Sequence, residues 1–535
     1  MKSSYLIFSI LIILFLASFY GVLLAQKINL VTADLGRHLK NGELFWTQFS
    51  IPHTNLYSST FPEYPFVNHH WASGAFFYLI EGVAGFSGIS VFFIIMSLAT
   101  FLLFFHLAWR QSSLEIATLL SLFIIPLLGS RVEIRPEVFS YFFVGLFLWI
   151  LVHATRFGLP RRWLFALPLL EIAWVNLHIY FPFGVALVAL FAGEYSIKAL
   201  ILKKQEWWIW TKTLLFISGL TALAALLNPR GITGVLYPFR IFGNYGYRLF
   251  ENQSVWFIER ILAYPPALYF KIAFGILIAS WLIALWQVLR NRRAQSSGRT
   301  SATPLMERFP IAYLVLTAVA SVMAWRAVRN FTLFGYLALP LAAANLALLF
   351  PQRRERNGRY YFGVIIISLL LFSAIILINP AYWDARKNPG LGLMPGVKRS
   401  AAFFREQNIE GPILNNYDNG GYLIYHLYPH QPVFVDNRPE AYPASFFQNL
   451  YVPLQENEEV WKEKNEEYRF NAIFFYRHDL TPWAQSFLAR RVNDPDWAPV
   501  YVDDYNIIFL KRGGPNQNVI ERYELPKSMF SVRTQ

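Results

Sequence analysis

The amino-acid sequence predicts an all-α polytopic membrane domain of about eleven transmembrane helices, followed by a soluble α/β domain. The 535-residue chain is 55% hydrophobic and 15% charged, whereas soluble proteins carry roughly 25% charged residues. Apolar runs of about 20 residues, long enough to cross a bilayer, recur until residue 379. From residue 383 the apolar runs shorten to the length of strands. We therefore divide the chain into residues 1–382, with a first extracytoplasmic loop at 26–87, and residues 383–535.

The predicted spans begin with a retained N-terminal helix. The apolar segment from Tyr5 to about Ala25 is longer than that of a secretory signal and lacks a small-residue cleavage site. Residues 33–46 can then form a short amphipathic helix, and 71–81 a short apolar helix of the interfacial or re-entrant kind. The other candidate spans are 88–108, 114–129, 136–155, 161–178, 181–201, 208–227, 266–289, 309–325, 329–350 and 360–379.

The basic residues predict the orientation. With a cytoplasmic N-terminus, the cytoplasmic loops contain Arg110, Arg156, Arg161, Arg162, Lys203, Lys204, Arg290, Arg292, Arg293, Arg299, Arg353, Arg354, Arg356 and Arg359. Acids in these loops are few, which is the positive-inside pattern. It accounts for most of the net charge of +14, so that charge does not indicate a nucleic-acid partner. An odd number of spans then places the C-terminal domain outside the cytoplasm.

The C-terminal region alternates short strands with helices, which predicts a small α/β domain with a partly parallel sheet. The predicted strands are 412–414, 432–435, 472–475 and 506–510, and the predicted helices are 397–408, 420–428, 456–468 and 481–491. Gly420 and Gly421 open a helix after a turn-rich stretch, but the spacing is not GxGxxG. We therefore predict no nucleotide site.

Polar residues near the outer ends of at least six segments carry the main functional signal. Ionisable groups at membrane depth are costly and face a cavity or a partner. The residues are Asp34, Arg37, His38, Asn68, His69, His70, Arg131, Glu133, Arg135, Asn176, His178, Asn228, Arg230, Arg326, Arg329 and Asn330. Their common side predicts a polar pocket that opens outward near the lipid headgroups.

Each of these groups has a plain alternative. Asp34 either removes a proton from an attacking hydroxyl or only caps a helix and pairs with Arg37. The pair His69–His70 either donates hydrogen bonds to a phosphate or lies at the interface beside Trp71. Arg131 and Arg135 either clamp a phosphate or pair with Glu133 and lipid headgroups. Glu171 shares a helical face with Trp174 and His178 and either belongs to the site or joins helices. Arg326 and Arg329 either line the cavity or extend to the surface.

Seven short motifs, in this order and on one side, resemble the polytopic GT-C glycosyltransferases, especially the bacterial group related to protein O-mannosyltransferases and lipid A aminoarabinose transferases. They are Asp34-Leu-Gly-Arg-His38, the stretch 51–58 (IPHTNLYS), His69-His70-Trp71-Ala72-Ser73, Arg135-Pro136, Trp174-Val-Asn176-Leu-His178, Asn228-Pro229 and Arg326-Ala-Val-Arg329-Asn330. The resemblance covers about residues 1–380. Asp34 stands alone where many members have two acids.

The resemblance implies a multi-pass protein of the bacterial inner (plasma) membrane with an extracytoplasmic C-terminal domain. It implies a polyprenyl-phosphate sugar as donor, an acceptor of unknown class, and inversion at the sugar with Asp34 as base. Arginine and histidine side chains would neutralise the departing lipid phosphate. We assign substrate or phosphate binding to His38, His69, His70, Arg131, Arg135, Glu171, Asn176, His178, Arg230, Arg326 and Arg329.

We predict no cofactor and no metal site. The chain has no cysteine, which excludes thiol chemistry, and an oxygen-rich site for a divalent cation needs several carboxylates. Such a cation is possible, but the sequence does not support one. Two other functions remain open. One is a transporter or flippase for a lipid-linked saccharide, although no internal repeat is visible. The other is a non-catalytic membrane scaffold with an external binding domain.

Overall fold

The computed structural model describes residues 2–240, 243, 245–296, 309–348, 358–384 and 386–530. The helices up to residue 384 are α1 Lys2–Leu24, α2 Leu35–Gln48, α3 Trp71–Gln111, α4 Leu114–Leu128, α5 Glu137–Arg156, α6 Ala166–Leu177, α7 Pro182–Leu202, α8 Gln205–Ala224, α9 Gly231–Arg240, α10 Val255–Ile261, α11 Pro266–Ser296, α12 Ile311–Arg326, α13 Phe331–Leu346, α14 Gly358–Leu377 and α15 Pro380–Asp384. The predicted basic residues Arg299, Arg353, Arg354 and Arg356 lie outside the described residues.

The apolar helices make this a multi-pass membrane protein. Within the described residues, five helices (in α1, α3, α5, α7 and α11) are long and apolar enough to cross a bilayer, and three shorter apolar helices lie in α4, α12 and α14. The predicted count of eleven spans stays a prediction. The predicted short helix at 71–81 and the span at 88–108 form one element, α3, which is kinked at Gly85 (φ 62°). A glycine tolerates this backbone conformation because it has no Cβ.

Contacts between the helices bring their ends together in two groups. At one end, the Glu194 carboxylate of α7 accepts hydrogen bonds from the Lys198 ammonium (2.6 Å) and from the backbone N–H of Ala312 at the start of α12 (2.8 Å). The Arg156 guanidinium at the end of α5 lies over the Tyr313 ring. The opposite end, where α5 and α13 begin and α4 and α12 end, holds the cavity described below. We call it the cavity end.

The C-terminal region forms a four-stranded mixed sheet, as predicted in outline. Its elements are α16 Arg399–Glu406, β1 Ile413–Asn415, α17 Gly420–Leu427, α18 Ala444–Phe446, α19 Pro453–Glu456, α20 Glu458–Tyr468, β2 Ala472–Tyr476, α21 Ala484–Asn493, β3 Trp497–Val502, β4 Asn506–Lys511 and α22 Gln517–Tyr523. The strand order is β1-β2-β4-β3. The β1–β2 pair is parallel, and β4 is antiparallel to β2 and to β3.

One predicted strand was wrong and one was missed. Residues 432–435 do not join the sheet, because their backbone pairs with the first loop instead. The Val433 N–H donates to the Tyr57 carbonyl (2.9 Å), and the Val433 carbonyl accepts from the Ser59 N–H (2.8 Å). The missed strand, β3, contains Pro499, where the register with β4 shifts. A proline inside a run argues against a strand, which explains the omission.

The C-terminal region is docked tightly on the first loop and on α2. Arg438 donates to the Asn55 side chain (2.6 Å), and α17 packs against α2. The helices approach so closely that a Cβ built on Gly36 would lie 2.5 Å from the Gly421 carbonyl oxygen. Position 36 therefore needs a glycine, and the two regions meet at the cavity end.

A methyl group at Gly36 is expected to loosen this contact. Gly36→Ala should lower the free energy of unfolding by about 1–3 kcal/mol, the usual cost of overpacking a close contact. The measurement is the apparent Tm of the purified protein in detergent. The matched control is Gly82→Ala on α3, where no atom lies within 4 Å of the added Cβ. Equal Tm values for the two variants would contradict the tight-docking account.

Candidate functional site

A cavity of about 420 Å³ lies at the cavity end, between the helix bundle and the C-terminal region. Five separate stretches of the bundle chain and two of the C-terminal region contribute its walls. The lining residues are Thr32, Asp34, Ser130, Arg131, Val132, Glu133, Arg135, Leu249, Phe250, Glu251, Tyr264, Val328, Arg329, Thr332, Tyr417, Asp418 and Asn437. The volume falls within the range of small-molecule sites, roughly 300–1,000 Å³.

Asp34 lies in the cavity wall at the start of α2. Its Oδ2 atom is 3.4 Å from Arg135 Nη1, and its side chain is 18% exposed. Its Oδ1 atom accepts a hydrogen bond from the Asn437 amide. Burial raises the pKa of Asp34 above its ordinary value, although Arg135 and Arg37 act in the opposite direction. A carboxylate in this setting is a stronger base than one in water.

Glu251 is the carboxylate that three arginines share. Its oxygens lie 2.8 Å from Arg131 Nη1, 3.0 Å from Arg135 Nη1 and 3.5 Å from Arg329 Nη1. Burial would raise the pKa of Glu251, but the three guanidinium groups outweigh it and hold the pKa well below the ordinary value. The three arginines therefore converge on one point, and that point is suited to an oxyanion.

Further carboxylates balance these cations. Glu137 accepts two hydrogen bonds from Arg131, both of 3.1 Å, and one from Arg329 of 2.8 Å. Glu133 lies 2.8 Å from Arg135. With Asp34 and Glu251, four carboxylates face three guanidinium groups. Each arginine is therefore held in place by its carboxylate partners. This pairing offsets the free-energy cost of removing the charged group from water.

The C-terminal region also contributes an acid, Asp418, to the cavity wall. Burial, together with the nearby Asp479 and Asp34 carboxylates, raises the pKa of Asp418 to about 7. This carboxyl group changes its charge near neutral pH, so it can either donate or accept a hydrogen bond there. Tyr417 lies beside it in the same wall.

Four predicted histidines gather in a buried cluster next to the cavity but are not among its lining residues. The ring centroid of His70 lies 5.3 Å from that of His38, 3.8 Å from that of His69 and 5.0 Å from that of His178. Burial lowers the pKa of each imidazole, to about 3 for His69 and His178. The histidines are therefore neutral at pH 7, and a phosphate-binding role for them stays a prediction.

Four other predicted residues do not reach the cavity, so the prediction of one shared pocket needs correction. Glu171 is fully buried against Gly184 of α7, with no hydrogen-bond partner among the described residues for either carboxylate oxygen. Asn176 joins helices: it accepts from Trp71 Nε1 (2.9 Å) and donates to the Leu227 carbonyl (2.9 Å). Arg326 is exposed at the end of α12, and Arg230 is half-buried beside α9.

Sequence reasoning missed Glu137, Glu251 and Asn437. Glu137 directly follows Arg135-Pro136, and Glu251 is one of two acids in the connection 228–265, so both had a local signal. Asn437 had none, because it lies 403 residues from Asp34 in the chain. Asn437 reaches Asp34 because the C-terminal region docks on the first loop and α2, and the local sequence does not encode this docking.

No protein-family model matches the chain, and no curated protein matches it by sequence. Solved structures do match. The oligosaccharyltransferase AglB from Archaeoglobus fulgidus, in complex with an inhibitory peptide and a dolichol-phosphate, has a TM-score of 0.57 at 11% identity and covers 94% of this chain and 74% of its own. Arabinofuranosyltransferase AftD from Mycobacteria has a TM-score of 0.52 at 14% identity over 94% of this chain and 42% of its own. Both neighbours belong to the GT-C superfamily.

The chain has the GT-C fold. This confirms the fold that the motifs of the first 380 residues implied. The match covers more than nine-tenths of the chain, so it includes the C-terminal α/β region as well as the helix bundle. Identities of 11% and 14% relate the proteins by fold.

The absence of a metal site stays a prediction, and one observation from the described part of the chain bears on the side chains that could form one. There, no group of three or more His, Asp or Glu side chains is arranged to hold one. The physical reason is visible at the cavity, where the Arg135 guanidinium pairs with Asp34, Glu133 and Glu251. These three carboxylates therefore already have a cationic partner in Arg135.

Removing the charge of Glu251 is expected to strengthen anion binding. In Glu251→Gln, three arginines lose a shared counter-charge. The affinity for inorganic phosphate should therefore rise by about tenfold or more, since one charged hydrogen bond contributes about 1.5–3 kcal/mol. Isothermal titration with the detergent-solubilised protein gives the Kd. The control is Glu133→Gln, because Glu133 also pairs with Arg135 but is half-exposed. A larger gain for the control would contradict the shared-anion arrangement.

Proposed function

We propose that the protein is an integral membrane glycosyltransferase, which moves a sugar from a polyprenyl-phosphate donor to an extracytoplasmic acceptor. The observation that carries the proposal is the cavity end, where Asp34 and three arginines line one cavity of about 420 Å³. This cavity opens at the end of an apolar bundle with the GT-C fold. A water-soluble sugar-phosphate group and a membrane-held lipid chain need such a boundary between polar and apolar surroundings.

In the proposed reaction, Asp34 acts as the general base. Its Oδ2 atom takes the proton of an acceptor hydroxyl or amide as the acceptor atom attacks C1 of the sugar. The bond between C1 and the phosphate oxygen breaks, and its electron pair stays on the lipid phosphate. Because one displacement occurs, the configuration at C1 inverts. The raised pKa of Asp34 suits this role, since a base is most effective when its pKa approaches the working pH.

Arg131, Arg135 and Arg329 supply the proposed electrostatic stabilisation. They already converge on the Glu251 carboxylate at 2.8–3.5 Å, so a phosphate oxygen placed near that point would meet donors that are fixed before it arrives. AglB, a structural neighbour, was solved with a dolichol-phosphate. We infer the same class of lipid for this protein, with neither the sugar nor the acceptor specified.

The lipid chain has an apolar surface beside the cavity. The helices α9 and α10 flank the Glu251 turn and expose large apolar side chains, among them Ile232 (61%), Phe239 (66%) and Trp256 (54%). In a membrane these side chains face acyl chains, where the aromatic ring of tryptophan suits the interface. We propose that the prenyl chain lies along them while its phosphate reaches the arginines.

Asp34→Asn is expected to lower the rate of transfer by a factor of about 10² to 10⁴, the usual contribution of a general base. The measurement is release of polyprenyl phosphate from a panel of ¹⁴C-labelled undecaprenyl-phosphate hexoses and pentoses in native membranes. The control is Asp504→Asn, which removes an exposed acid of the C-terminal region.

Undiminished transfer by Asp34→Asn would end the assignment of the base. Movement of the donor across vesicles by the purified protein, without a covalent product, would instead support a flippase. If Asp34→Asn and Arg329→Ala leave the cellular phenotype intact while deletion of residues 384–535 abolishes it, a scaffold is supported.

The proposal also places the C-terminal region outside the cytoplasm. Because the natural chain has no cysteine, a single cysteine reports its own position. Lys462→Cys, exposed on α20, should react in intact cells with a membrane-impermeant maleimide. Arg162→Cys, exposed at the other end of the bundle, should react only after the cells are opened. The reverse pattern would refute this orientation.

A further inference from the structure

Asn437 is the C-terminal residue that touches the carboxylate of Asp34. Its Nδ2 atom donates to Asp34 Oδ1, and its Oδ1 atom accepts from Arg37 Nε (3.4 Å). Arg37 has donors only, so the amide oxygen must face Arg37 and the amide nitrogen must face Asp34. The charges of Asp34 and Arg37 thereby fix the orientation of the Asn437 amide.

The residues on both sides of Asn437 are anchored rigidly. Asp436 and Arg438 form a fully buried ion pair, in which Arg438 Nε and Nη2 donate to the Asp436 carboxylate at 2.7 and 2.6 Å. Arg438 also donates to Asn55 of the first loop, and the Tyr442 hydroxyl donates to Asp436 (3.2 Å). These contacts leave the backbone at 437 little freedom, so the amide is presented to Asp34 from a stationary support.

The two oxygens of Asp34 therefore have different surroundings. Oδ1 accepts a hydrogen bond from Asn437, whereas Oδ2 lies 3.4 Å from Arg135 Nη1, and both partners line the cavity. A carboxylate that is free to rotate would exchange these positions. With Oδ1 held by Asn437, Oδ2 stays beside Arg135.

We propose that Asn437 is a positioning residue, through which the C-terminal region completes the catalytic base. The inference rests on the proposed function, in which Asp34 accepts the acceptor's proton. The Asn437 amide orients the Asp34 carboxylate and favours its ionised form, because a hydrogen bond donated to a carboxylate stabilises the anion. The C-terminal region is then part of the catalytic centre and not only a platform for the acceptor.

Charged groups from every neighbouring element also act on Asp34. Arg37 comes from α2, Arg135 and Glu133 from the α4–α5 connection, and Glu251 from the turn before α10. Asp418 approaches from the C-terminal region. Of these groups only Arg37 also contacts Asn437 (3.4 Å). A shift in the pH dependence of the Asn437 variants therefore reports the altered contacts of Asn437 with Asp34 and with Arg37.

The experiment compares Asn437→Ala, Asn437→Asp and the control Asn449→Ala in the full-length protein, using the undecaprenyl-phosphate sugar that wild type consumes fastest. Asn449 is an exposed asparagine of the same region. Asn437→Ala should lower kcat about tenfold or more, since a hydrogen bond to a charged group contributes about 1.5–3 kcal/mol. KM for the donor should stay within twofold.

The acidic limb of the kcat profile should move to higher pH in Asn437→Ala. Without the amide donor the Asp34 pKa rises, so the base becomes ionised only at higher pH. Asn437→Asp should move the limb further, because it places a second carboxylate beside the first. This variant keeps the shape of the side chain and therefore tests the inference even if the alanine variant loses its fold, which the apparent Tm in detergent would reveal.

The outcomes separate the two proposals. If Asp34→Asn is inactive but folded Asn437 variants match wild type in kcat and pH profile, the positioning role is wrong and the transferase proposal stands. A raised KM with an unchanged pH profile also overturns positioning, since it indicates a substrate contact. Absence of transfer by wild type with every donor of the panel overturns both.

Discussion

The cavity end depends on the pairing of three arginines with carboxylates at the end of an apolar bundle. Arg131, Arg135 and Arg329 come from two separate helix connections, and Glu251 from a third. Unpaired charges of this kind would be expensive beside a membrane. Their mutual neutralisation lets them converge around one cavity, and it fixes the helix ends that carry them. The geometry of the cavity thus follows from the need to satisfy buried charge.

Much of the bundle was predictable from apolar periodicity, because each span must fill the bilayer by itself. The predicted spans 114–129, 136–155 and 181–201 differ by one or two residues from α4, α5 and α7. The meeting of Asp34 with Arg135 also followed from the sequence, since alternating helices place these groups on the same side. The roles assigned to them stay predictions that only assays can decide.

The wrong and missed predictions share one physical cause. The residues concerned contact partners that lie far away in the sequence. Residues 432–435 have a strand-like composition, but the first loop supplies their backbone partners. Glu171 lies at a depth that suggested the pocket, yet it faces the backbone of α7 at Gly184. Side-chain direction and non-local pairing are set by tertiary packing, which periodicity does not encode. Asn437 belongs to the same class.

The contact between Asn437 and Asp34 also has a consequence for biogenesis. The two residues are 403 positions apart, so the ribosome makes one long before the other. Every helix of the bundle must be made, and the C-terminal region folded, before the two can meet. A half-made chain therefore lacks the contact between Asn437 and Asp34, and with it the support that we propose for the Asp34 carboxylate.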